Sequence, residues 1–530
     1  WAHYFMLSLR NMTCWFTAQS CQSRKNSRKK VHRNKHKRKT MKHLLLTTIA
    51  AMLSASSLVF GERPNIVFIM SDDHALEAIG AYGSWLKKYC PTPTIDQLAA
   101  EGMRFTNVFC NNSICSPSRA SILTGQYSHK NGVPNLNGSI SEDSPLLAVG
   151  LKKAGYQTAV FGKWHLTSRP TGFDTYKVTR GQGSWFDPVF YTQNGQWYGR
   201  KKKREMVPGE KHTGYCSDIY TDQALAWLKA RDAKKPFCMM LHFKAPHHSY
   251  EYPERWKDYL KDTLIPEPPS LHEDVEKTSP RLKGVHTWHM IHKNGYFGRH
   301  EMDEVPPMWP HDGTPRGKTS AAYQHMIHKY LRAVGAVDDN IKRVMDFLEQ
   351  ENIKDETMVI YTSDQGYWLG QHGLYDKRLI LEGSIKMPFI VRYPGEIKAG
   401  SVNDSLCSNV DFAPTLLRVA GVPVPKTMQG VSLRPLLQGR QPTNWRKGIW
   451  YAYWATGHFH WGVRTRQHKL VRFPGTTDYE FYDLSKDPNE MNNLAGQPSY
   501  ARATAQTEKI LEKLIKEVDI KPNQMPGANR

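Results

Sequence analysis

The sequence predicts an α/β fold: a large, mostly parallel central sheet with helices on both faces, and a smaller C-terminal antiparallel sheet with a helix. Three observations point there. Short apolar runs alternate with helical patterns through the body of the chain, as strand–helix–strand units do. The runs are apolar throughout, which suits strands buried on both faces. From about Asn444 the texture changes to aromatic-rich alternating segments, GIWYAYWA, WGVRTRQHKLVRF and YEFYDLS, the pattern of a half-buried sheet.

The elements can be taken in order. Asn65–Met70 (NIVFIM) is an apolar strand that stops abruptly at Ser71-Asp72-Asp73-His74. Gln157–Phe161 stops at Gly162-Lys163-Trp164-His165, Phe237–Phe243 at Ala245-Pro246-His247-His248, and Met358–Thr362 at Ser363-Asp364-Gln365-Gly366. Chains turn at strand ends, so a polar end is common. Four ends this rich in chemistry also suit a site beyond the carboxyl edge of the sheet. Helices are expected over Thr221–Lys229, over Tyr323–Gln350, where apolar residues recur at helical spacing, and over Ala501–Val518. Residues 262–320, rich in Pro, His and charge, read as a surface insertion. Its histidines at 286, 289, 292 and 300 fit a solvated loop better than a metal site. Trp450, Tyr451, Tyr453, Trp454 and Trp461 either pack the small sheet or offer faces to sugars.

Composition narrows the classes. The 530 residues are 39% hydrophobic and 23% charged, which excludes a largely disordered, collagenous or coiled-coil chain. The formal charge of +23 is concentrated at one end, since residues 1–61 carry 12 Lys/Arg and no Asp or Glu. At Met41 the pattern becomes MKHLLLTTIAAMLSASSLVFG: a basic start, an apolar run, then small residues, as in a secretory signal peptide. Residues 1–40 are therefore expected to be an upstream extension and 41–61 the signal peptide. A basic nucleic-acid-binding tail is the alternative for the first segment. Without the leader, 60 Lys/Arg face 49 Asp/Glu, a net +11. That suits an exported protein, periplasmic or secreted, that meets acidic polymers, with no nucleic-acid partner. No stretch of the mature chain approaches the roughly 18 unbroken apolar residues of a membrane span. Of the eight cysteines, six lie beyond the leader (90, 110, 115, 216, 238 and 407). None forms a CxxC pair, so a zinc ribbon or redox motif is not expected, and one or two disulfides of unread connectivity would fit export.

The segment SICSPSRASILTG, Ser113–Gly125, carries the most chemistry. Pro117 suits the first turn of a helix, so Cys115 would lie beside a helix amino end, where free N–H groups favour an anion. Arg119 follows one turn later, within reach of the same place. A buried inert cysteine before an ordinary helix is the alternative on physics alone.

This segment resembles the signature of the type I, formylglycine-dependent sulfatases, with Cys115, Pro117, Ser118, Arg119, Leu123, Thr124 and Gly125 all in place. The resemblance runs from residue 63 to about 490. It implies an alkaline-phosphatase-like fold, a catalytic domain over 62–443 and a C-terminal subdomain over 444–530. It also implies oxidation of Cys115 to formylglycine, whose hydrated diol is the nucleophile, by a formylglycine-generating or anaerobic maturating enzyme. One divalent cation, Ca²⁺, is expected on Asp72, Asp73, Cys115, Asp364 and Gln365; hard oxygen donors suit it, and crowded carboxylates need it. Gln365 departs from the Asn or His of many relatives.

The other strand ends match the family's roles: Lys163 and Lys377 on sulfate oxygens, His165 orienting the diol, His247 on the leaving oxygen, and Arg119 supporting residue 115. The segments GSWFDPVFYTQNGQ and YTSDQGYWLGQHGLYDKR look closest to bacterial N-acetylglucosamine-6-sulfatase-like members, which act on heparan- or mucin-type glycans. His372 is then a candidate for gripping the sugar. A phosphomonoester or phosphodiester hydrolase of the same fold, or an inactive glycan-binding relative, are the alternatives.

Overall fold

The computed structural model describes residues 63–195, 197, 209–273, 309–455 and 457–528. The expected extension, the signal peptide and the histidines at 286, 289, 292 and 300 lie outside the described residues.

Ten strands form the main sheet: β1 (Asn65–Ser71), β2 (Met103–Phe105), β3 (Gln157–Lys163), β4 (Thr175–Thr179), β5 (Val189–Thr192), β6 (Glu210–Lys211), β7 (Phe237–His242), β8 (Thr357–Ser363), β9 (Phe389–Arg392) and β10 (Ser401–Asn403), in the order β10-β2-β9-β8-β1-β7-β3-β4-β5-β6. The four apolar runs singled out in the sequence are the adjacent strands β8, β1, β7 and β3, all parallel. Antiparallel pairs flank this parallel centre at β8–β9 and at β4–β5. Register aligns the strand ends: Ser71 sits beside Ser363, and both Met70 and Gly162 sit beside His242. The residues that follow β1, β7 and β8, and the last residue of β3, therefore emerge along one edge.

Alternation along these strands explains why the sheet is covered twice. Ile66, Phe68, Met70, Met240 and Ile360 face one core, and Val67, Ile69, Met239, Leu241 and Val359 face the other. The first core is closed by α2 (Cys115–Thr124), α3 (Leu147–Lys153) and α6 (Phe412–Val419). The second is closed by α1 (Pro93–Glu101), α4 (Cys216–Ala230) and α5 (Pro315–Gln350). A separate four-stranded antiparallel sheet, β11 (Gly448–Tyr453), β12 (His460–Thr465), β13 (His468–Arg472) and β14 (Tyr479–Asp483), packs against α7 (Ala501–Glu517). No helix among the described residues is long and apolar enough to cross a membrane.

Several boundaries differ from the sequence reading, each for a local reason. Strand β3 continues through Gly162 to Lys163, so Lys163 is held by the sheet rather than by a loop. Gly162 has φ 98° and lies against the His242 backbone, an approach that only glycine permits. Helix α5 starts at Pro315, capped by the Thr314 hydroxyl accepting from Gly317 N–H, so the end of the expected insertion is helical. Helix α4 begins at Cys216 rather than Thr221. Helix α2 begins at Cys115 itself, since Pro117 needs no N–H partner in a first turn. The six described cysteines are all free thiols, so no disulfide forms among them. Trp450, Tyr451 and Tyr453 are buried in packing and offer no face to a sugar.

Helix α1 depends on a cap from another element. Asp338 of α5 accepts from the N–H groups of Thr94 at 3.0 Å and Ile95 at 2.9 Å, which would otherwise be unpaired at a helix start. Asp338→Ala is expected to lower stability by about 1–3 kcal/mol, measured as a fall in urea midpoint at unchanged m-value; an unaltered midpoint would show that the cap contributes nothing.

Candidate active site

The carboxyl edge of the sheet gathers the residues that the sequence singled out. Asp72 and Asp73 follow β1, Asp364 and Gln365 follow β8, Lys163 ends β3, His165 stands two residues on, and His247 follows β7. Opposite them, Cys115 opens α2, with Ile114 extended at the cap position. Its thiol lies 3.0 Å from His165 Nδ1, and the Ser116 hydroxyl donates to the His165 carbonyl at 2.6 Å. Lys377 reaches the cluster from the loop after Tyr375–Asp376. These side chains are buried except those of His165 and His247, which are partly buried.

Charge organises the cluster. The Lys163 ammonium pairs with Asp72, and Lys377 pairs with Asp73 at 2.5 Å and Asp376 at 3.4 Å. Arg119 Nε donates to Asp364 Oδ2 at 2.9 Å and Nη1 to the Lys163 carbonyl at 2.6 Å, with Nη2 3.9 Å from Asp72. Burial alone would raise every acid here, and its balance against neighbouring charge differs at each. At Asp72, Lys163, Arg119 and Lys377 outweigh burial and hold the carboxyl well below the usual carboxylate range. At Asp73, burial together with Asp72 and Asp364 outweighs Lys377 and pushes the group up to about 7. Asp364 is pushed up to about 6 by burial and Asp72. Burial also lifts the Cys115 thiol to about 11, so the thiol is a poor nucleophile as it stands. His165 is pushed down to about 2 by burial and Lys163, and His247 well below its ordinary value for the same reasons. Both imidazoles are neutral.

The donor set fits a hard cation. Asp72, Asp73 and His247 bring ligand atoms within 4.8 Å of one another, and Asp364 Oδ1 joins them by accepting from Asp73 N–H at 3.2 Å. Asp72 Oδ1 and Gln365 Oε1 are buried oxygens without a hydrogen-bond partner, as expected of atoms meant for a metal. Gln365 turns its amide nitrogen to Asp73 Oδ1, which leaves that carbonyl oxygen spare.

Two of the expected residues also meet partners that the sequence did not name. Arg119 places Nε on Asp364 and Nη1 on the Lys163 carbonyl and keeps Nη2 without a hydrogen-bond partner, so it braces the acids and the strand end within electrostatic reach of residue 115. His372 is buried, with Nδ1 2.6 Å from Glu273 Oε2, and is held by its N–H on the Ser270 hydroxyl at 3.0 Å; it makes a pair within the protein. Of the adjacent histidines, His247 Nε2 faces Asp73 at 3.6 Å while His248 stacks on Tyr375. Sequence reasoning missed Gln182, whose Oε1 accepts from Lys163 Nζ at 2.5 Å, and Lys244, which donates to the Gln182 carbonyl at 2.9 Å over the ring of Trp185. Burial and Lys163 lower Lys244 to about 8. The KAPHH string after β7 was the signal for Lys244; Gln182 has none.

A protein-family model described as Sulfatase matches residues 64–422, and one described as N-sulphoglucosamine sulphohydrolase, C-terminal, matches 370–517. The chain is 38% identical over 500 residues to an N-acetylglucosamine-6-O-sulfatase of Bacteroides thetaiotaomicron, covering 86% of this chain and 87% of that protein. A solved structure in complex with its substrate D-glucosamine-2-N,6-O-disulfate superposes with TM-score 0.78 at 36% identity, covering 86% of this chain and 98% of that one. A phosphonate monoester hydrolase from Silicibacter pomeroyi shares the fold at TM-score 0.66 and 23% identity, covering 86% of this chain and 96% of that one.

Because Arg119 is 1% exposed and faces buried carboxylates, Arg119→Met should cost about 3–5 kcal/mol, the usual penalty for leaving a buried charge unpaired. Urea unfolding of the calcium-free protein measures it, and a loss below 1 kcal/mol (order of magnitude for an exposed pair) would contradict the pairing.

Proposed function

The chain belongs to the sulfatase family, a group of sulfuric ester hydrolases of alkaline-phosphatase-like fold, and on that premise we propose that it removes the 6-O-sulfate of N-acetylglucosamine or glucosamine in heparan- or mucin-type glycans, with Cys115 converted to formylglycine as the nucleophile. The carrying observation is Cys115 at a helix amino end, 3.0 Å from a neutral, partly buried histidine and flanked by the ammonium groups of Lys163 and Lys377. An anionic group bound there meets two cations and unpaired helix N–H groups. The sugar and the position of its sulfate rest on the Bacteroides relative and on the sulfated glucosamine in the related complex.

Asp72, Asp73, Asp364 and the Gln365 carbonyl are the proposed ligands of one Ca²⁺, along with residue 115. The ion supplies Lewis acidity toward a sulfate oxygen. Formylglycine, as its hydrate, supplies a hydroxyl where the raised thiol cannot serve. The chain's own residues do the remainder. Lys163 and Lys377 hold sulfate oxygens and offset charge as the ester bond weakens. His165, uncharged and within hydrogen-bond reach of side chain 115, can take a hydroxyl proton. His247 donates Nδ1–H to the His248 carbonyl at 2.5 Å. Its Nε2 must then gain a proton before it can pass one to the departing sugar oxygen; burial and Lys163 oppose that charged form and Asp72 favours it. The retained basic charge suits a polyanionic glycan. Export by way of segment 41–61 and encounter with a maturation enzyme belong to the same reading.

Release of sulfate from defined sulfated mono- and disaccharides, with calcium present, tests the function. The 6-O-sulfated glucosamines should be hydrolysed, and Cys115→Ala should abolish turnover while the fold is retained. Undiminished activity in that variant, or a preference for phosphate esters, would refute the assignment. Mass analysis of the tryptic peptide bearing residue 115 should find the aldehyde in active material.

Calcium should raise the melting temperature of the chelator-treated protein, because it binds only the folded state. Asp72→Asn should remove that shift; a shift that survives in the variant places the ion elsewhere.

A further inference from the structure

Lys163 stands at the centre of the cluster, and what aims its ammonium is not settled by its own strand. Its backbone is fixed, by the β3 ladder and by Arg119 on its carbonyl, but a lysine side chain has four flexible carbons. An ammonium has three donors. Two of them find Asp72 and the Gln182 amide oxygen.

We infer that Gln182 is the positioning residue that keeps Lys163 directed at the sulfate group without adding a second carboxylate to the one, Asp72, that the ammonium already meets. This rests on the assignment of Lys163 to sulfate given above. The contrast with Lys377 is instructive, because both of that lysine's acceptors are carboxylates, Asp73 and Asp376. A carboxylate holds an ammonium but neutralises it. A neutral amide oxygen holds it without cancelling more of the charge, so a sulfate oxygen on the third donor meets an ammonium offset by one carboxylate rather than two. Asp72 carries a spare buried oxygen suited to a cation, so its hold on Lys163 is shared, whereas the Gln182 oxygen has no such second claim.

Gln182 is itself anchored. Its carbonyl accepts from the buried Lys244 ammonium at 2.9 Å, and Lys244 lies 4.7 Å over the Trp185 ring from the same loop. The flanking Gly181 and Gly183 adopt φ 56° and 67°, the left-handed turns that fold this loop back onto the strand end. The residue is exposed on the rim of the site, so its replacement leaves the core intact.

The test is a double-mutant cycle with Gln182→Leu and Lys163→Ala, read by kcat and KM on a 6-O-sulfated glucosamine and by calorimetric binding of inorganic sulfate in the Cys115→Ala background. Gln182→Leu should lower kcat/KM about ten- to a hundredfold, the range for losing a hydrogen bond to a charged group. The loss should divide between raised KM and lowered kcat, with sulfate binding weakened and the melting temperature unchanged. The double variant should be no worse than Lys163→Ala, because the two act as one unit. Gln182→Leu with kcat/KM within about twofold of the parent, well short of a lost charged hydrogen bond, or losses that multiply in the double variant, would overturn the inference. If Lys163→Ala alone leaves catalysis intact, the sulfate assignment of Lys163 fails and the inference falls with it, an outcome distinct from failure at Gln182 alone.

Discussion

Three carboxylates buried within reach of one another at the edge of a sheet cannot all remain charged unless cations share the space. Arg119 answers most of that constraint. One guanidinium pairs with Asp364, lies near Asp72 and fixes the carbonyl of Lys163, so it joins the ends of β8, β1 and β3 to helix α2. The placement of Cys115 follows, because Arg119 stands one turn along the helix that Cys115 opens. Lys163 and Lys377 divide the remaining acids between them, and two oxygens are left over for a metal.

Parallel register is what makes such crowding attainable. Residues that are hundreds of positions apart become neighbours because β8, β1, β7 and β3 run side by side and stop at nearly one level. Burial on both faces then removes water from the edge, which pushes the imidazoles of His165 and His247 to their neutral forms. The same burial lifts the Cys115 thiol. A site that leaves its cysteine this inert is consistent with the oxidised side chain proposed for it.

The small C-terminal sheet has a share in the geometry. The Tyr451 hydroxyl donates to the Arg378 carbonyl at 2.6 Å and accepts from Ser113 N–H at 3.3 Å, linking the segment before Cys115 to the one after Lys377. Below it, Arg464 and Lys469 pair with Glu382, and Lys469 also with Glu490, in a buried network. Tyr451 and Tyr453, for which the sequence favours packing over a face to sugars, are thus packing and bracing groups.

Much of the site was legible because its residues sit in short strings with fixed chemistry: the run from Cys115 to Gly125, the acidic pair ending β1, and the GKWHL and YDKR segments. Strand ends could be read from abrupt changes between apolar and polar residues, because a strand buried on both faces admits few polar side chains. Helix starts read late in the sequence, since the first turn at Cys216 is largely small and polar and the one at Pro315 carries a cap and a proline rather than apolar periodicity. What the linear order could not convey is which partner each group meets. That His372 would spend its imidazole on Glu273, that Gln365 would turn its nitrogen to Asp73, and that Gln182 would hold Lys163 are matters of loops folding back in space. The sequence by itself determined the inventory of reactive groups and the strands that carry them, because these follow from local pattern. The tertiary structure alone decided their pairing and protonation, because both depend on distance and on the exclusion of water.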